Sequence, residues 1–387
     1  MPGVKGVGAT GPIAFGYFAF RCLTDARPLP HTVRMAAQRI SSLTPIAQVL
    51  ARVAAMAQPV APCELALADA EGRVLAHDVI AQASPAAPVA LVDGWAVRAD
   101  QVTDAGSYAP LLLDPAPAWV DAGAAMPRDT DAVLPPDAVA GGEVHAAATA
   151  GDGVLAAGSD ANGPLRLAGE RLRAVDIAAL QAVGISRVSV LEPRVRVVSI
   201  GADGPALAVA RGVAAQGANV IFVRDLARAL AEDADAVIAV GGTGAGRNDA
   251  SVTQLARAGR VDIHGFGLSP GETAALGSVR RQPVLLLPAR LDAALAGFLV
   301  VGEALLRRLT GAITSQPEMP LTLARKIVST VGMAEVVPVR RNPEGIEPLA
   351  SGHWPMQALA RADGWVLVPA ESEGFAAGAQ LTMRAFP

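Results

Sequence analysis

At 387 residues the chain is long enough for two or more domains; 52% hydrophobic content supplies ample core, and with aromatics at 4% Ala, Val and Leu must do most of the packing. A formal charge of -4 argues against a nucleic-acid-binding surface and against a polybasic membrane patch. Two distant cysteines, Cys22 and Cys63, with no CxxC, read as reduced thiols of a cytoplasmic protein, and the five scattered histidines suggest no zinc site.

Residues 1–34 are rich in Gly and Pro and carry no sustained period, which predicts a disordered extension, with Met35 as a candidate start. The apolar run Pro12 to Phe20 is only faintly like a signal peptide, because Arg21 and Asp25 follow and no A-x-A site appears. The first element is a helix over Pro45 to Met56, with Ile46, Val49, Leu50 and Val53 on one stripe, Thr44 as N-cap and Pro45 at the first helical position. From 96 to 157, prolines at 110, 115, 117, 127, 135 and 136 forbid long helices, and short strands such as Ala132 to Leu134 predict a small β-module. A helix follows over Leu172 to Val183, closed by Gly184.

Strand and helix patterns then alternate. Strands are expected at Val195 to Ile200, Asn219 to Val223, Asp235 to Val240 and Pro283 to Leu287. Helices are expected at Ala206 to Ala215, Asp225 to Ala231, Asp249 to Ala258 and, longest, Leu291 to Leu309. Asp292, Glu303, Arg307 and Arg308 interrupt the last, so it is no membrane span. Such alternation predicts an α/β domain with a mostly parallel sheet. Beyond about 315, short alternating runs at Glu335 to Arg340 and Gly364 to Pro369 predict a C-terminal β-domain. The expected architecture is thus a multidomain α/β protein. It has an N-terminal domain from 35–95 plus 158–190, a β-rich insert at 96–157, the α/β domain at 191–312 and the β-domain at 313–387.

The most specific local signal is Gly241-Gly242-Thr243-Gly244-Ala245-Gly246-Arg247-Asn248-Asp249, between an apolar strand and a helix. Glycines let a chain turn sharply and bring backbone N–H groups to an anion, and the helix adds its positive end. Asp249 can hold a metal ion or cap the helix, and a plain turn is the bland alternative.

This loop resembles the molybdopterin-binding signature, and the likeness extends along the chain. Val92-Asp93-Gly94-Trp95-Ala96-Val97-Arg98 is similar to the Met-Asp-Gly-Tyr-Ala-Val-Arg of the molybdenum-insertase family, which includes bacterial MoeA and the gephyrin E domain. Asp69 to Val79 is similar to the family's Leu-Gly-Arg-Val-Leu-Ala-Glu-Asp leader, Ala122 to Pro127 to its Thr-Gly-Ala-Pro-Leu-Pro, and Thr130 to Val133 to its Ala-Asp-Ala-Val. Gly158-Ser159-Asp160, Ser351-Gly352 and Ala362-Asp363-Gly364 follow in the family's order.

The resemblance implies a cytoplasmic homodimer, with its site near a subunit boundary, that inserts molybdate (tungstate is chemically close) into adenylylated molybdopterin beside a divalent ion such as Mg2+. A molybdoenzyme or another cofactor-biosynthesis protein is an implied partner. Asp93, Asp160, Asp203 and Asp249 stand at acidic family positions, Asp203 and Asp249 as the metal candidates. Gly241, Gly242, Thr243, Gly244, Gly246, Arg247, Pro270, Gly271 and Arg290 are the candidate ligand contacts. Asp93, Asp160 and Asp203 also suit turns, and Trp95 and Trp365 suit packing.

The departures concentrate on the cationic side. The family's Lys-Pro-Gly-Lys-Pro is Ser269-Pro270-Gly271-Glu272-Thr273 here, its Pro-Gly-Asn-Pro is Pro288-Ala289-Arg290-Leu291, and the Thr before the Gly-Ala pair is Ala122. Arg247, Arg281 and Arg290 are candidate substitutes. Two functions therefore stand: a molybdopterin molybdotransferase, or a catalytically decayed relative that serves as carrier, sensor or scaffold.

Overall fold

The computed structural model describes residues 38–313 and 320–387, so the expected extension and the candidate start at Met35 lie outside the described residues. Its centre is a six-stranded sheet in the order Asn219–Val223, Arg194–Ser199, Ala236–Val240, Gln282–Leu287, Ala275–Val279, Arg260–His264. The first four strands run parallel and the last two join antiparallel. The β-branched run at 194–199 explains its central place: Val195 and Val197 point into one apolar layer and Val198 into the other, all fully buried. A strand covered on both faces reads as continuous hydrophobic sequence, and helices must supply the cover. Asp203–Ala215 and the long helical stretch from Leu291 to Thr310 pack on one face, Leu226–Ala231 and Ser251–Ala258 on the other.

The helix Ile46–Met56 also buries Ile46, Val49 and Val53 in this core, so it belongs physically with the α/β domain and not with the 57–95 segment that sequence grouped it with. Its start differs from expectation too. Thr44 and Pro45 pair in parallel with Phe266 and Gly267, Pro45 takes the cap position and no side chain caps the helix. An edge-strand pairing outcompetes the Thr44 cap because it satisfies Thr44 N–H directly, by a 2.9 Å bond to Gly265 O.

The N-terminal lobe gathers strands Cys63–Ala66, Val74–Leu75 and Arg187–Leu191 with the helix Ala174–Ala182 around Leu67, Leu75, Leu172, Leu180 and Val190. The insert begins earlier than sequence suggested. Val89–Ala90 already pairs with Val154–Leu155, and Gly94–Val97 is the middle strand between Ala118–Val120 and Ala132–Leu134. Trp95 packs edge-to-face on Trp119 with ring centroids 5.2 Å apart, so it does serve packing.

The C-terminal β-domain is not a separate body. Its sheet runs Thr44–Pro45, Phe266–Ser269, Ala334–Asn342, Gly364–Val368, Arg384–Ala385, so Leu268 and Ser269 of the α/β domain pair in parallel with Ala334 and Glu335. Trp354 and Trp365, both fully buried, extend the α/β core into it. The short strand Phe266–Ser269 is not evident from the sequence because Gly265, Gly267 and Pro270 interrupt its pattern. Among the described residues no helix is long and apolar enough to cross a membrane.

Glu303 marks where three of these parts meet. It opens the last helical segment, Glu303–Thr310, near Gln216, Arg171 of the N-terminal lobe and Arg384 of the C-terminal domain. Arg171 itself bonds Gly72 O at 2.6 Å, Ala215 O at 3.3 Å and Gln216 Oε1 at 3.2 Å. Burial pushes the Glu303 carboxyl up to about 7, against the pull of Arg307, Arg384, the Gln216 hydrogen bond and Arg171. The folded state therefore holds a proton that the unfolded chain releases near 4.5. The associated stability is present in full below about 4.5 and is lost as pH rises through 7, on the order of 2–3 kcal/mol. Thermal melts from pH 5 to 8 should show Glu303→Gln with a flatter profile and higher stability at pH 8 than wild type. Parallel profiles would show that Glu303 does not titrate in this window.

Candidate functional site

The chain leaves Arg194–Ser199 for a neighbour on one side and crosses back to Ala236–Val240 on the other. At such a reversal in an open α/β sheet the two following loops diverge at the carboxyl ends of their strands and leave a crevice. The glycine loop sits there. Gly241 N–H bonds Leu287 O at 2.8 Å and Ile200 N–H bonds Val240 O at 2.9 Å, so the loop starts flush against both neighbouring strands. Gly241 (φ 118°) and Gly242 (φ 67°) occupy conformations that L side chains rarely adopt. A Cβ on Gly241 would lie 2.1 Å from Ile200 O, and one on Gly242 2.4 Å from Ser251 Oγ.

Several residues fix the loop from outside. Ser251 Oγ donates to Gly241 O at 2.7 Å, and its N–H bonds Gly242 O at 3.0 Å. The Thr243 hydroxyl, 2% exposed, meets that of Thr273 at 2.9 Å. His264 Nε2 lies 3.1 Å from Thr243 O. Gln38, brought from the chain's start, bonds Gly242 O and Gly244 O. Asp249 neither caps the helix, which begins at Ser251, nor points away: its Oδ2 accepts Gly246 N–H at 2.9 Å and closes the loop on itself. The N–H groups of Thr243, Gly244 and Ala245 have no partner among the described residues. The loop therefore carries three backbone donors without partners among the described residues, the kind of group that recognises phosphate or another oxyanion.

Sequence reasoning missed Ser251, His264, Thr273 and Gln38, all of which act on the loop. Only Ser251 was within reach of local pattern; the other three are distant in sequence and were invisible without the fold.

The remaining candidates fall in three places. Asp203 starts the helix Asp203–Ala215 at the same sheet edge, but both its oxygens bond Arg224, at 3.2 and 2.6 Å, and that guanidinium holds its carboxyl below the usual range. Pro270 and Gly271 form the turn after Phe266–Ser269, where Glu272 Oε2 accepts Gly271 N–H at 3.1 Å. Beside them a cleft of about 220 Å3 is lined by Ser269, Thr330, Met333, Glu335, Ser351 and Gly352 among others. Its one charged group is an acid, Glu335, which is buried and accepts from Ser351 Oγ at 2.6 Å and Gly352 N–H at 2.8 Å. Asp93 and Asp160 belong to the other end of the chain. Asp93 Oδ1 accepts Ala122 N–H at 2.7 Å and Asp160 N–H bonds Ser84 O at 3.0 Å, and no hydrogen bond or ion pair among the described residues ties either to the glycine loop.

Of the substitute cations, Arg247 is exposed on the loop and has no partner among the described residues. Arg281 lies at the opposite end of the sheet, in the turn before Gln282–Leu287. Arg290 is committed elsewhere. Its Nε and Nη2 reach the Asp292 carboxylate at 3.1 and 2.5 Å, and Nη2 lies 2.9 Å from His353 Nδ1. Asp292, 1% exposed, also accepts Ala293 N–H at 2.8 Å and Trp354 N–H at 3.1 Å, and lies 2.7 Å from His353 Nδ1. Burial alone would raise this carboxyl. The bonds from Arg290, Trp354 N–H, His353 and Ala293 N–H outweigh it and hold the group at about 2. Among the described residues no group of three or more His, Cys, Asp or Glu gathers to hold a metal ion.

A glycine loop at the reversal of a mostly parallel sheet, a β-domain whose sheet takes in the strand Phe266–Ser269, and a preceding lobe carrying a β-rich insert define a multidomain α/β class of protein. Residues 44–184 match the family model "MoeA N-terminal region (domain I and II)" and residues 210–308 match "Probable molybdopterin binding domain". The chain belongs to the MoeA-type family.

It is 26% identical to molybdopterin molybdenumtransferase 2 of Mycobacterium tuberculosis over 391 aligned positions, covering 85% of this chain and 96% of that one. A shorter match, 28% identical over 151 residues, takes in 39% of this chain and only 36% of a Methanocaldococcus jannaschii protein named "Putative molybdopterin biosynthesis protein". Among solved structures, a molybdopterin biosynthesis MoeA protein from Pyrococcus horikosii superposes with a TM-score of 0.71 at 25% identity, covering 89% of this chain and all of that one.

Proposed function

We propose that this chain binds molybdopterin through its phosphate end at the Gly241–Asp249 cradle and acts as a molybdotransferase-like protein in molybdenum cofactor biosynthesis. The observation that carries the reading is the row of free N–H groups at Thr243, Gly244 and Ala245, presented where the sheet order reverses. Relatives along most of the chain are molybdopterin molybdenumtransferases, which supports the role in cofactor biosynthesis.

The residues perform the binding part of such a reaction. The loop amides take the phosphate, the helix Ser251–Ala258 adds its positive end, and Asp249 holds the loop closed through Gly246. A Mg2+ ion needs only one or two carboxylates when ligand phosphates supply the rest. Asp249 fits that demand, since its Oδ1 accepts no hydrogen bond from a described residue, whereas Asp203 is spent on Arg224. The ion would neutralise phosphate charge there. Adenylylated molybdopterin and molybdate are, in this reading, the substrates.

Titration of purified molybdopterin is the test. Wild type should bind saturably, and Asp249→Ala should bind at least tenfold more weakly while losing only about 1 kcal/mol of stability, the scale of one loop hydrogen bond. Wild type that takes up no molybdopterin would end this reading.

A second reading, a carrier or scaffold without insertion activity, is favoured by one specific observation. Ser269 and Glu272 leave the turn without a cation, the adjacent cleft presents Glu335, and Arg290 is paired with Asp292. Complementation of a strain lacking its own insertase separates the two: growth dependent on the molybdoenzyme assigns insertion, and binding without complementation assigns the carrier role.

A further inference from the structure

Gln38 precedes the helix Ile46–Met56 and stands more than 200 residues from the glycine loop, yet it is 9% exposed and fully engaged there. Its amide nitrogen donates to Gly242 O at 2.7 Å and Gly244 O at 2.8 Å, and its amide oxygen accepts Thr253 N–H at 3.3 Å. Thr253 N–H is one of the donors that the first turn of the helix Ser251–Ala258 leaves without an intrahelical partner.

The geometry of a trans peptide gives these bonds a consequence. The N–H of each residue points opposite to the carbonyl of the residue before it. Drawing the Gly242 and Gly244 carbonyls toward Gln38 therefore turns Thr243 N–H and Ala245 N–H away from it, and neither has a partner among the described residues. Gly242 O keeps a second hold, from Ser251 N–H at 3.0 Å, whereas among the described residues Gly244 O accepts from Gln38 alone. Without Gln38, a rotation of the 244–245 peptide would bring a carbonyl oxygen to the face where an anion must sit, and the glycines at 244 and 246 leave that rotation sterically cheap.

We propose that Gln38 is a positioning residue for ligand binding: by holding two carbonyls back it presents the Thr243 and Ala245 N–H groups to the phosphate of the ligand. The segment ahead of the first helix thereby becomes part of the site's machinery. The inference rests on the molybdopterin-binding reading above.

The test titrates purified molybdopterin into wild type, Gln38→Met and Gln38→Glu, with thermal melts in parallel. Met keeps the side chain's length and volume and removes all three bonds. Glu keeps the shape but cannot donate, and it sets a negative charge against two carbonyl oxygens. Gln38→Met should bind about tenfold more weakly, a difference of 1.4 kcal/mol, and Gln38→Glu more weakly still, with the Met variant melting within about 3 °C of wild type.

Wild-type binding with both variants within twofold of it overturns the inference and leaves the ligand reading intact. No binding by wild type removes the ligand reading, and this inference with it. Weaker binding accompanied by a matching fall in melting temperature in both variants assigns Gln38 to the fold alone, and likewise overturns it.

Discussion

Asp292→Ala should cost the folded chain about 1–3 kcal/mol, the cost of leaving a buried donor without its acceptor. The carboxylate is nearly inaccessible and binds four groups from two domains: Arg290 and Ala293 of the α/β domain, and His353 and Trp354 of the C-terminal domain. Arg290 and His353 are largely exposed and recover water when the acid is removed, so their share is screened. Most of the cost comes from Trp354 N–H, beside a fully buried indole, which is left without a partner. A fall of roughly 5 °C in melting temperature is expected, with Asp292→Asn intermediate because it keeps the shape and some acceptors. The pH dependence has the opposite sense to that of Glu303. With the folded carboxyl at about 2, the stability it contributes is present above its ordinary 3.8 and disappears as pH falls through 2. A change in melting temperature under about 2 °C would show that the two domains do not depend on this acid.

Gly241→Ala should be the most damaging single-methyl change in the α/β domain. The added carbon would stand 2.1 Å from Ile200 O, which is held by the central strand, at a φ of 118° that alanine resists. Either the loop moves off the strand end and loses the Gly241 N–H bond to Leu287, or the strand shifts; both cost several kcal/mol. Circular dichroism melts should show the loss of stability, and any protein that remains folded should bind molybdopterin more than tenfold less tightly. Gly106→Ala is the matched control, because a Cβ there meets nothing within 4 Å; it should be neutral in both measurements. Equal behaviour of the two variants would mean that the loop is not anchored as described.

The fold was legible where periodicity is strong. The strands at 194–199, 219–223, 236–240 and 282–287 fall within a residue of the sequence expectation and their helices within three, because a sheet buried on both faces writes itself as unbroken Val, Ile, Leu and Ala. The strand Phe266–Ser269 was not legible, and with it went the fact that the α/β and C-terminal domains share a sheet. The site was legible in part. Gly241 to Asp249 announces itself by composition, whereas the partners that shape it, Gln38, His264 and Thr273, are ordinary residues made relevant by distant contacts. Arg290 shows the converse: a cation in a suggestive place whose neighbour two residues on, Asp292, claims it.

The parallel pairing of Leu268 and Ser269 with Ala334 and Glu335 separates what keeps this molecule's shape from what gives it reactivity. Main-chain groups stitch the seam between the domains, and every amino acid except proline brings the same main chain to it. Side chains at 269 and 272 can therefore change without unpicking the stitch. Two proteins can superpose across this seam while one carries lysines there and the other an acid. The shape of the joint thus depends on main-chain groups, while the charge of the turn beside it depends on side chains that the architecture does not police.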